Sequence, residues 1–512
     1  MDPSALHQRG LSEDFGHLRA DRSLSTRMGR SMNPEHVPET SRHLNPMTAC
    51  PDVDAAIEGL VGALKRHQAT ITGVRAPDPG RTQVLEDAVS RLASVRGRAG
   101  FYPYIGSGFG RGGLVQLADG SVKWDMITGI GVHGFGHGDP DLVETALRAS
   151  ITDTVMQGNL MCNDEAISFA ETLLEASRPG TRLAHCFPCT SGALANENGL
   201  KICMQHRCGA PRVLAFDHNF MGRTIAMSQI GDIPGGRQGI PLDTLVDYLP
   251  FYEEQDPEGS LQRTLTLLDR YLWRYPHQHS CIVIELVQGE GGFVAAKAAW
   301  VRAVAERCRE AGIPVWFDEV QSFGRTERMF RFQALGLEDL ADMVSVGKMS
   351  QVCATIYTEE LNPKPGLLSA TFLGGTVGLS VGRRIIQRLL EGDSYGDDGR
   401  HARLHAAFHA AAEGIISRRP QDFPEVETDC PTPCEAFPLI GGAGGMMRLT
   451  PYGGRLAAIK PLLHRLYDLG VVAFFCGHGP HHLRFLPPVG VMQPEDITEV
   501  MGLLEQAMDQ EA

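Results

Sequence analysis

The chain has 512 residues, 43% of them hydrophobic and 21% charged, and carries a net charge of −14. That length allows roughly two or three domains and a large core, while the acidity excludes nucleic acid as a partner, because phosphate binding needs clustered Lys and Arg. No apolar stretch reaches the roughly 20 residues of a membrane span, and the N-terminus has no apolar signal-type region, so cytoplasmic small-molecule metabolism is expected.

In chain order, residues 1–50 are rich in Ser, Arg, His, Pro and Met without an apolar period and read as a disordered tail. Residues 51–150 form a helical extension and an N-terminal segment. Ala55 to Lys65 and Val84 to Val95 have helical spacing, parted by the breaker-rich Ala76 to Arg81. Between Tyr102 and Asp125, short alternating runs flank Ala118-Asp-Gly-Ser121, a hairpin signal. Gly106, Gly108, Gly110, Gly112 and Gly113 precede it, and with no helix following they read as a flexible turn-rich segment rather than a dinucleotide loop. Residues 151–385 are expected to be the large domain: apolar runs at Leu183–Phe187, Arg212–Phe216, Cys281–Val287, Val315–Phe317, Met343–Val346 and Cys353–Tyr357 alternate with amphipathic stretches. This α/β pattern implies a mostly parallel sheet covered by helices. Residues 386–512 read as a smaller α+β domain with strands near Val471–Phe475 and His482–Phe485.

The 12 cysteines are scattered, which does not make a disulfide framework. Cys186-Phe-Pro-Cys189 falls in an apolar run and reads as inert strand residues. Cys430-Pro-Thr-Pro-Cys434 lacks two further ligands at zinc spacing, so no metal site is expected.

Polar residues that follow the apolar runs carry the chemistry, because ligands of open α/β sheets sit beyond the carboxyl ends of strands. Phe317-Asp318-Glu319-Val320-Gln321 is a buried strand ending in acid, and a later apolar run ends in Gly347-Lys348. Acid and amine so placed fit an aldehyde cofactor, pyridoxal phosphate, which needs a lysine for a covalent link, a carboxylate for its ring nitrogen and a phosphate cradle. Thr190-Ser191-Gly192-Ala193 opens a helical pattern running to about Met204, so free N–H groups and the helix dipole converge on an anion-binding spot. Alone, that segment is an ordinary Ser N-cap, and Lys348 alone is a surface lysine.

Together these segments resemble the class III, fold type I pyridoxal-phosphate aminotransferases, nearest to the lysine 6-, ornithine, acetylornithine and 4-aminobutyrate aminotransferase group, over residues 100–510. The matching motifs are Asp318-Glu-Val-Gln321, Gly347-Lys348, Asn219-Phe-Met-Gly-Arg-Thr224, Glu285-Leu-Val-Gln-Gly-Glu290, Gly375-Thr376 and Leu483-Arg-Phe-Leu-Pro-Pro488. The resemblance implies a fold type I large domain with a seven-stranded-type sheet and a smaller C-terminal domain. It makes Lys348 the cofactor's lysine and proton carrier and Asp318 the partner of the ring nitrogen. Gln321 would face the phenolic oxygen, and Val320 and Phe220 would cover the ring. Ser191, Gly192 and Ala193 would hold the phosphate, with Thr376 from a neighbouring subunit, which implies a homodimer with shared sites.

For substrate, the resemblance assigns a carboxylate to Arg223, the α-carboxylate of glutamate or 2-oxoglutarate to Arg484, and a gate to Glu290, which pairs with Arg484 while an ω-amino donor is bound. Tyr102 would contact the donor's far end, and Ile130 stands where ornithine enzymes have a tyrosine. The implied reaction moves the terminal amino group of a lysine-, ornithine-, N-acetylornithine- or 4-aminobutyrate-type donor to 2-oxoglutarate by a ping-pong mechanism. Met221, Leu286 and Gly374-Gly-Thr-Val-Gly-Leu379 depart from the family's usual residues, so the donor is not copied from one relative. A decarboxylase or aminomutase of the same fold, or a non-catalytic binding protein, is the alternative.

Overall fold

Runs of Val, Ile, Leu and Phe bounded by polar or glycine-rich segments become strands here because branched and aromatic side chains fit a pleated, buried surface. The computed structural model describes residues 45–153, 156–426 and 436–510. Most of the expected tail, and the Cys430 and Cys434 pair, therefore lie outside the described residues. Pro46–Ala49 is a single 3-10 turn, and residues Cys50–Ala512 form one compact unit.

Helix α1 (Pro51–Gln68) starts on a proline, with Asp52 and Asp54 in its first turn and Lys65, Arg66 and His67 in its last, the polarity its dipole favours. It buries Ile57 and Val61, and the Gln68 amide donates to the carbonyls of Gly110 at 2.8 Å and Gly138 at 2.7 Å. Helix α2 (Thr82–Arg96) stops at Gly97, which takes the left-handed conformation.

Strands β1 (Gly106–Arg111), β2 (Leu114–Leu117) and β3 (Val122–Asp125) form an antiparallel meander. Its second turn is the expected Ala118–Ser121 hairpin, where Asp119 accepts from the N–H of Ser121 at 2.9 Å and its hydroxyl at 2.7 Å. Of the glycines before it, Gly106, Gly108 and Gly110 lie in strand β1 rather than in a flexible segment. At Gly110 a Cβ would stand 2.4 Å from that of His137 and 2.5 Å from the Leu114 carbonyl, so glycine is required there by close approach.

The central sheet has seven strands: β4 (Leu183–Cys189), β5 (Arg212–Phe216), β6 (Leu245–Leu249), β7 (His279–Ile284), β8 (Val315–Glu319), β9 (Met343–Val346) and β10 (Cys353–Thr358), in the order β4-β10-β9-β8-β7-β5-β6. Strand β10 is antiparallel to both its neighbours; the other pairs are parallel. Both faces are buried. Ile282 and Ile284 of β7 join one apolar cluster with Trp300, Val301 and Val304 of helix α5 (Ala298–Glu310), while Cys281 and Val283 join another with Leu200, Ile202 and Cys203 of helix α3 (Gly192–His206). Helix α4 (Pro257–Arg274) packs against α5. The edge strand β6 had no apolar run to announce it, because Asp247 interrupts Leu-Val-Asp-Tyr-Leu; that acid is paired with Arg212 at 2.5 Å and His279 at 2.9 Å. Cys186 and Cys189 lie in β4 as free thiols, and burial pushes both up, Cys189 to about 12, so both are inert.

After helices α6 (Thr376–Glu391) and α7 (Arg400–Arg418) comes a second sheet of β11 (Ile440–Ala443), β12 (Met446–Leu449), β14 (Phe474–Cys476) and β15 (His482–Phe485), ordered β11-β12-β15-β14. Its first hairpin, rich in Gly and Met, was missed in sequence. Strand β13 (Val471–Val472) instead pairs in parallel with β3 and extends the N-terminal meander. Helices α8 (Leu456–Asp468) and α9 (Pro494–Asp509) cover this portion. No described helix is long and apolar enough to cross a membrane.

Gly110→Ala should lower unfolding free energy by about 1–3 kcal/mol, the range for overpacking, and denaturant melts should show the loss as a lower midpoint with an unchanged slope.

Candidate active site

Strands β8 and β9 run in parallel with Ser345 opposite Asp318 and Val346 opposite Glu319. Asp318 is therefore delivered at the carboxyl end of one strand and Lys348 just beyond the end of the next. Both line a cavity of about 560 Å³ together with Gly192, Ala193, Phe220, Val320 and Gln321. Eight of the site residues expected from sequence thus meet here, counting Ser191, which caps helix α3 by accepting from the Leu194 N–H at 3.2 Å. With that cap in place, the N–H groups of Gly192 and Ala193 at the first turn have no intrahelical carbonyl to bond.

Asp318 is buried and held on both oxygens, accepting from the Asn196 amide and from the Val320 N–H, each at 2.8 Å. Burial pushes its carboxyl up to about 6, against those two bonds and the nearby Lys348 charge. Asn196 also donates to the Met221 carbonyl at 2.8 Å, which ties the acid to the segment carrying Phe220. Lys348 has a positive φ of 50° at the start of a 3-10 turn, strained for a side chain with a Cβ. Burial pushes its amine down to about 8; Glu290 opposes this, and Arg484 and Arg325 reinforce it.

Several wall residues went unassigned in the sequence reading. Glu285 accepts from the N–H groups of Phe220 at 2.8 Å and Gly289 at 3.2 Å, and burial, with Asp318 beside it, pushes its carboxyl up to about 8. Its signal was present, an acid directly after an apolar strand. Val132 and His133 also line the cavity, as do Gln351 and Cys353. The His133 ring stacks on His137 at 4.9 Å, and His137 bonds Asp125 at 2.9 Å; burial, then the His137 charge, keep His133 below its usual range.

The five expected substrate contacts do not line this cavity. Tyr102 stacks on Tyr467 at 4.6 Å and donates to the Ala473 carbonyl at 2.8 Å, so its hydroxyl is spent on packing behind β14. Ile130 is 39% exposed with a φ of 62°, an outlier for a β-branched residue. Its loop is held by Asp125, which accepts from the Thr128 N–H at 2.7 Å, and by buried Arg325, which donates to the Gly131 carbonyl. Arg223 is exposed, with its guanidinium 5.4 Å from the Phe220 ring centre. Glu290 and the fully buried Arg484 form an ion pair at 2.6 Å. Burial would raise the Glu290 carboxyl, but Arg484 holds it below its usual range. Thr376 also lies off the cavity, at the start of α6, where its hydroxyl donates to the Asp153 carbonyl at 2.5 Å.

A profile of the family Aminotransferase class-III matches residues 107–404, more than half of the chain. The chain belongs to the class III aminotransferases. An acetylornithine aminotransferase of Listeria innocua is 26% identical over 411 residues, covering 78% of this chain and 94% of the relative. One of Methanocaldococcus jannaschii is 30% identical over 262 residues, covering 49% of this chain and 61% of the relative. The solved lysine aminotransferase from M. tuberculosis in the internal aldimine form is 21% identical, with a TM-score of 0.69 over 82% of this chain and 99% of that one, and it shows the shared fold. This class III aminotransferase is a pyridoxal-phosphate-dependent transaminase, which sets aside the non-catalytic alternative.

The cavity of the aminotransferase fits that cofactor. The buried Gln321 amide oxygen on its wall has no hydrogen-bond partner, the condition of a group that awaits a polar ligand. The open first turn of α3 suits a phosphate, and a Cβ at Gly192 would stand 2.7 Å from Val320, so the helix start is kept bare where the cavity narrows. No group of three or more metal-ligating side chains occurs among the described residues.

An amine near 8 is mostly protonated at pH 7, and only its neutral form attacks an aldehyde. The rate at which cofactor-free protein links pyridoxal phosphate should therefore rise with pH through about 8 and level off above it, measured by the absorbance of the linked cofactor.

Proposed function

We propose that this protein is an ω-aminotransferase that moves the terminal amino group of a basic or ω-amino acid to 2-oxoglutarate in a ping-pong cycle, in the cytoplasm. The observation that carries this reading is the Glu290–Arg484 pair at 2.6 Å. With Arg484 neutralised, the site presents no free cation there to seize an α-carboxylate, so a donor enters amine first. When Glu290 turns away, the guanidinium becomes a bidentate partner for the dicarboxylate acceptor. Arg223, exposed above the Phe220 ring, is suited to the other carboxylate. The relatives named for acetylornithine and for diaminobutyrate with 2-oxoglutarate are compatible with this donor class.

Pyridoxal phosphate supplies an electron-withdrawing ring that makes the proton beside the substrate nitrogen removable. Lys348 would hold the cofactor between turnovers, then take that proton and deliver it to the cofactor carbon on the far side of the nitrogen. Asp318 would keep the ring nitrogen protonated, its carboxylate fixed by Asn196 and Val320. Gln321 would bond the phenolic oxygen, while Phe220 and Val320 confine the ring and Ser191, Gly192 and Ala193 cradle the phosphate.

A homodimer with shared sites belongs to the same proposal. Leu160 and Met161 are 99% and 77% exposed, and Phe372 57%. The Asn159 N–H donates to the Ala370 carbonyl at 3.2 Å, so the two loops that carry these exposed side chains adjoin, the second leading into Thr376. An apolar patch of this kind marks an interface, and covering it with a second copy would carry Thr376 toward the partner's phosphate cradle.

Glu290→Ala should unmask Arg484 and raise the rate of cofactor conversion by glutamate relative to ω-amines by about tenfold or more, the worth of one charge-assisted bond; an unchanged ratio in single half-reactions removes Glu290 from the gate. Phe372→Asp should shift the protein toward monomer in sedimentation and weaken cofactor retention together; loss of neither counts against shared sites.

A further inference from the structure

On the second sheet, Arg448 of β12 lies directly opposite Arg484 of β15. Directly paired residues on antiparallel strands share a face with Cβ atoms about 5 Å apart, so the two arginine side chains leave the sheet from neighbouring points on one face. Both side chains are fully buried. Like charges so placed repel and are costly without anions, and each arginine has one: Glu290 on Arg484 and Glu254 on Arg448. The second pair thus repeats the construction of the gate, with a buried arginine on the small sheet and a partly exposed glutamate from the chain before it.

The surroundings of Arg448 are built for a planar cation. Its guanidinium lies 5.0 Å from the Phe437 ring centre. Gly441 is its cross-strand neighbour, and any Cβ there would stand 2.3 Å from Arg448 Nε. Glu254, Phe437 and His482 line a second cavity of about 340 Å³, which also reaches Gly291, the residue after Glu290. Arg448 Nε and Nη1, like Arg484 Nε and Nη2, are buried without hydrogen-bond partners. One glutamate each leaves both arginines with donors that a further carboxylate would satisfy.

We propose that Arg448 is a second carboxylate-binding arginine of this enzyme, which with Arg484 takes a substrate whose non-reacting end carries two carboxylates, Glu254 closing over Arg448 when no such end is bound. This rests on the reading of Glu290 and Arg484 as the substrate gate. The other acids of the second cavity do not oppose an anion. Glu253 is paired with Arg263 at 2.6 Å, and burial, with Asp232 nearby, pushes the Asp217 carboxyl up.

The test titrates holoenzyme by calorimetry with 2-butylsuccinate, which bears two carboxylates at one end, and with hexanoate, which bears one. Glu254→Gln should tighten 2-butylsuccinate about tenfold and leave hexanoate unchanged. The double variant Glu254→Gln/Arg448→Gln, which leaves no orphaned charge, should lose that gain, with its fold checked by thermal melting. Glu290→Gln should tighten both ligands. If Glu254→Gln changes neither ligand while Glu290→Gln tightens both, the second arginine site is overturned and the gate stands. If Glu290→Gln changes neither, the gate itself falls and this site with it.

Discussion

The chemistry of this protein depends on the register between two parallel strands. Because β8 and β9 align Ser345 with Asp318, the acid and the lysine leave the sheet at the same edge, over the open first turn of α3. A shift by one residue would turn Asp318 to the other face of the sheet and separate it from Lys348. What fixes the register is apolar burial on both faces: Phe317 and Val346 point into one cluster and Trp316 and Met343 into the other, so no slipped pairing keeps both cores filled. Trp316 adds a bond from its indole N–H to the hydroxyl of Ser345, the residue opposite Asp318, at 2.9 Å.

Burial at this edge also sets the electrostatics. Asp318, Glu285 and Lys348 all feel the loss of water first; after it come the Val320 and Asn196 hydrogen bonds for Asp318, the Asp318 charge for Glu285 and the Glu290 charge for Lys348. The result is two carboxyls pushed up, to about 6 and about 8, and an amine pushed down to about 8, a concentration of displaced groups in one cleft that is the mark of a functional site. Asn196 and the backbone N–H groups of Val320, Phe220 and Gly289 keep the carboxylates oriented without neutralising them.

Much of this was readable from the residues. Where apolar residues dominate a strand, as at Arg212–Phe216 and Met343–Val346, its bounds in the sequence and in the fold coincide. Where packing relies on a paired acid, as in β6, or on glycine and methionine, as in β11 and β12, no pattern announced it. Motif residues that touch the cofactor cavity announce themselves because several chemistries must coincide in order along the chain. Asn196 and His133 did not, since a polar residue inside a helix pattern or a glycine loop has many ordinary reasons to be there. Tyr102 was placed by likeness of position alone, and its hydroxyl proves to be engaged by the Ala473 carbonyl.

The short strand β13 ties distant parts of the chain into one piece. Val471 and Val472 pair with Trp124 and Asp125, the Met126 N–H donates to the Val472 carbonyl at 2.8 Å, and the Leu486 N–H donates to the Met126 carbonyl at 2.6 Å. The loop that brings Val132 and His133 to the cofactor cavity therefore hangs from the same backbone that carries Arg484. A rotation of the small sheet, by any hinge, would move Arg484 and the His133 wall together against Asp318 and Lys348, so that displacing the one and reshaping the pocket would be mechanically a single event.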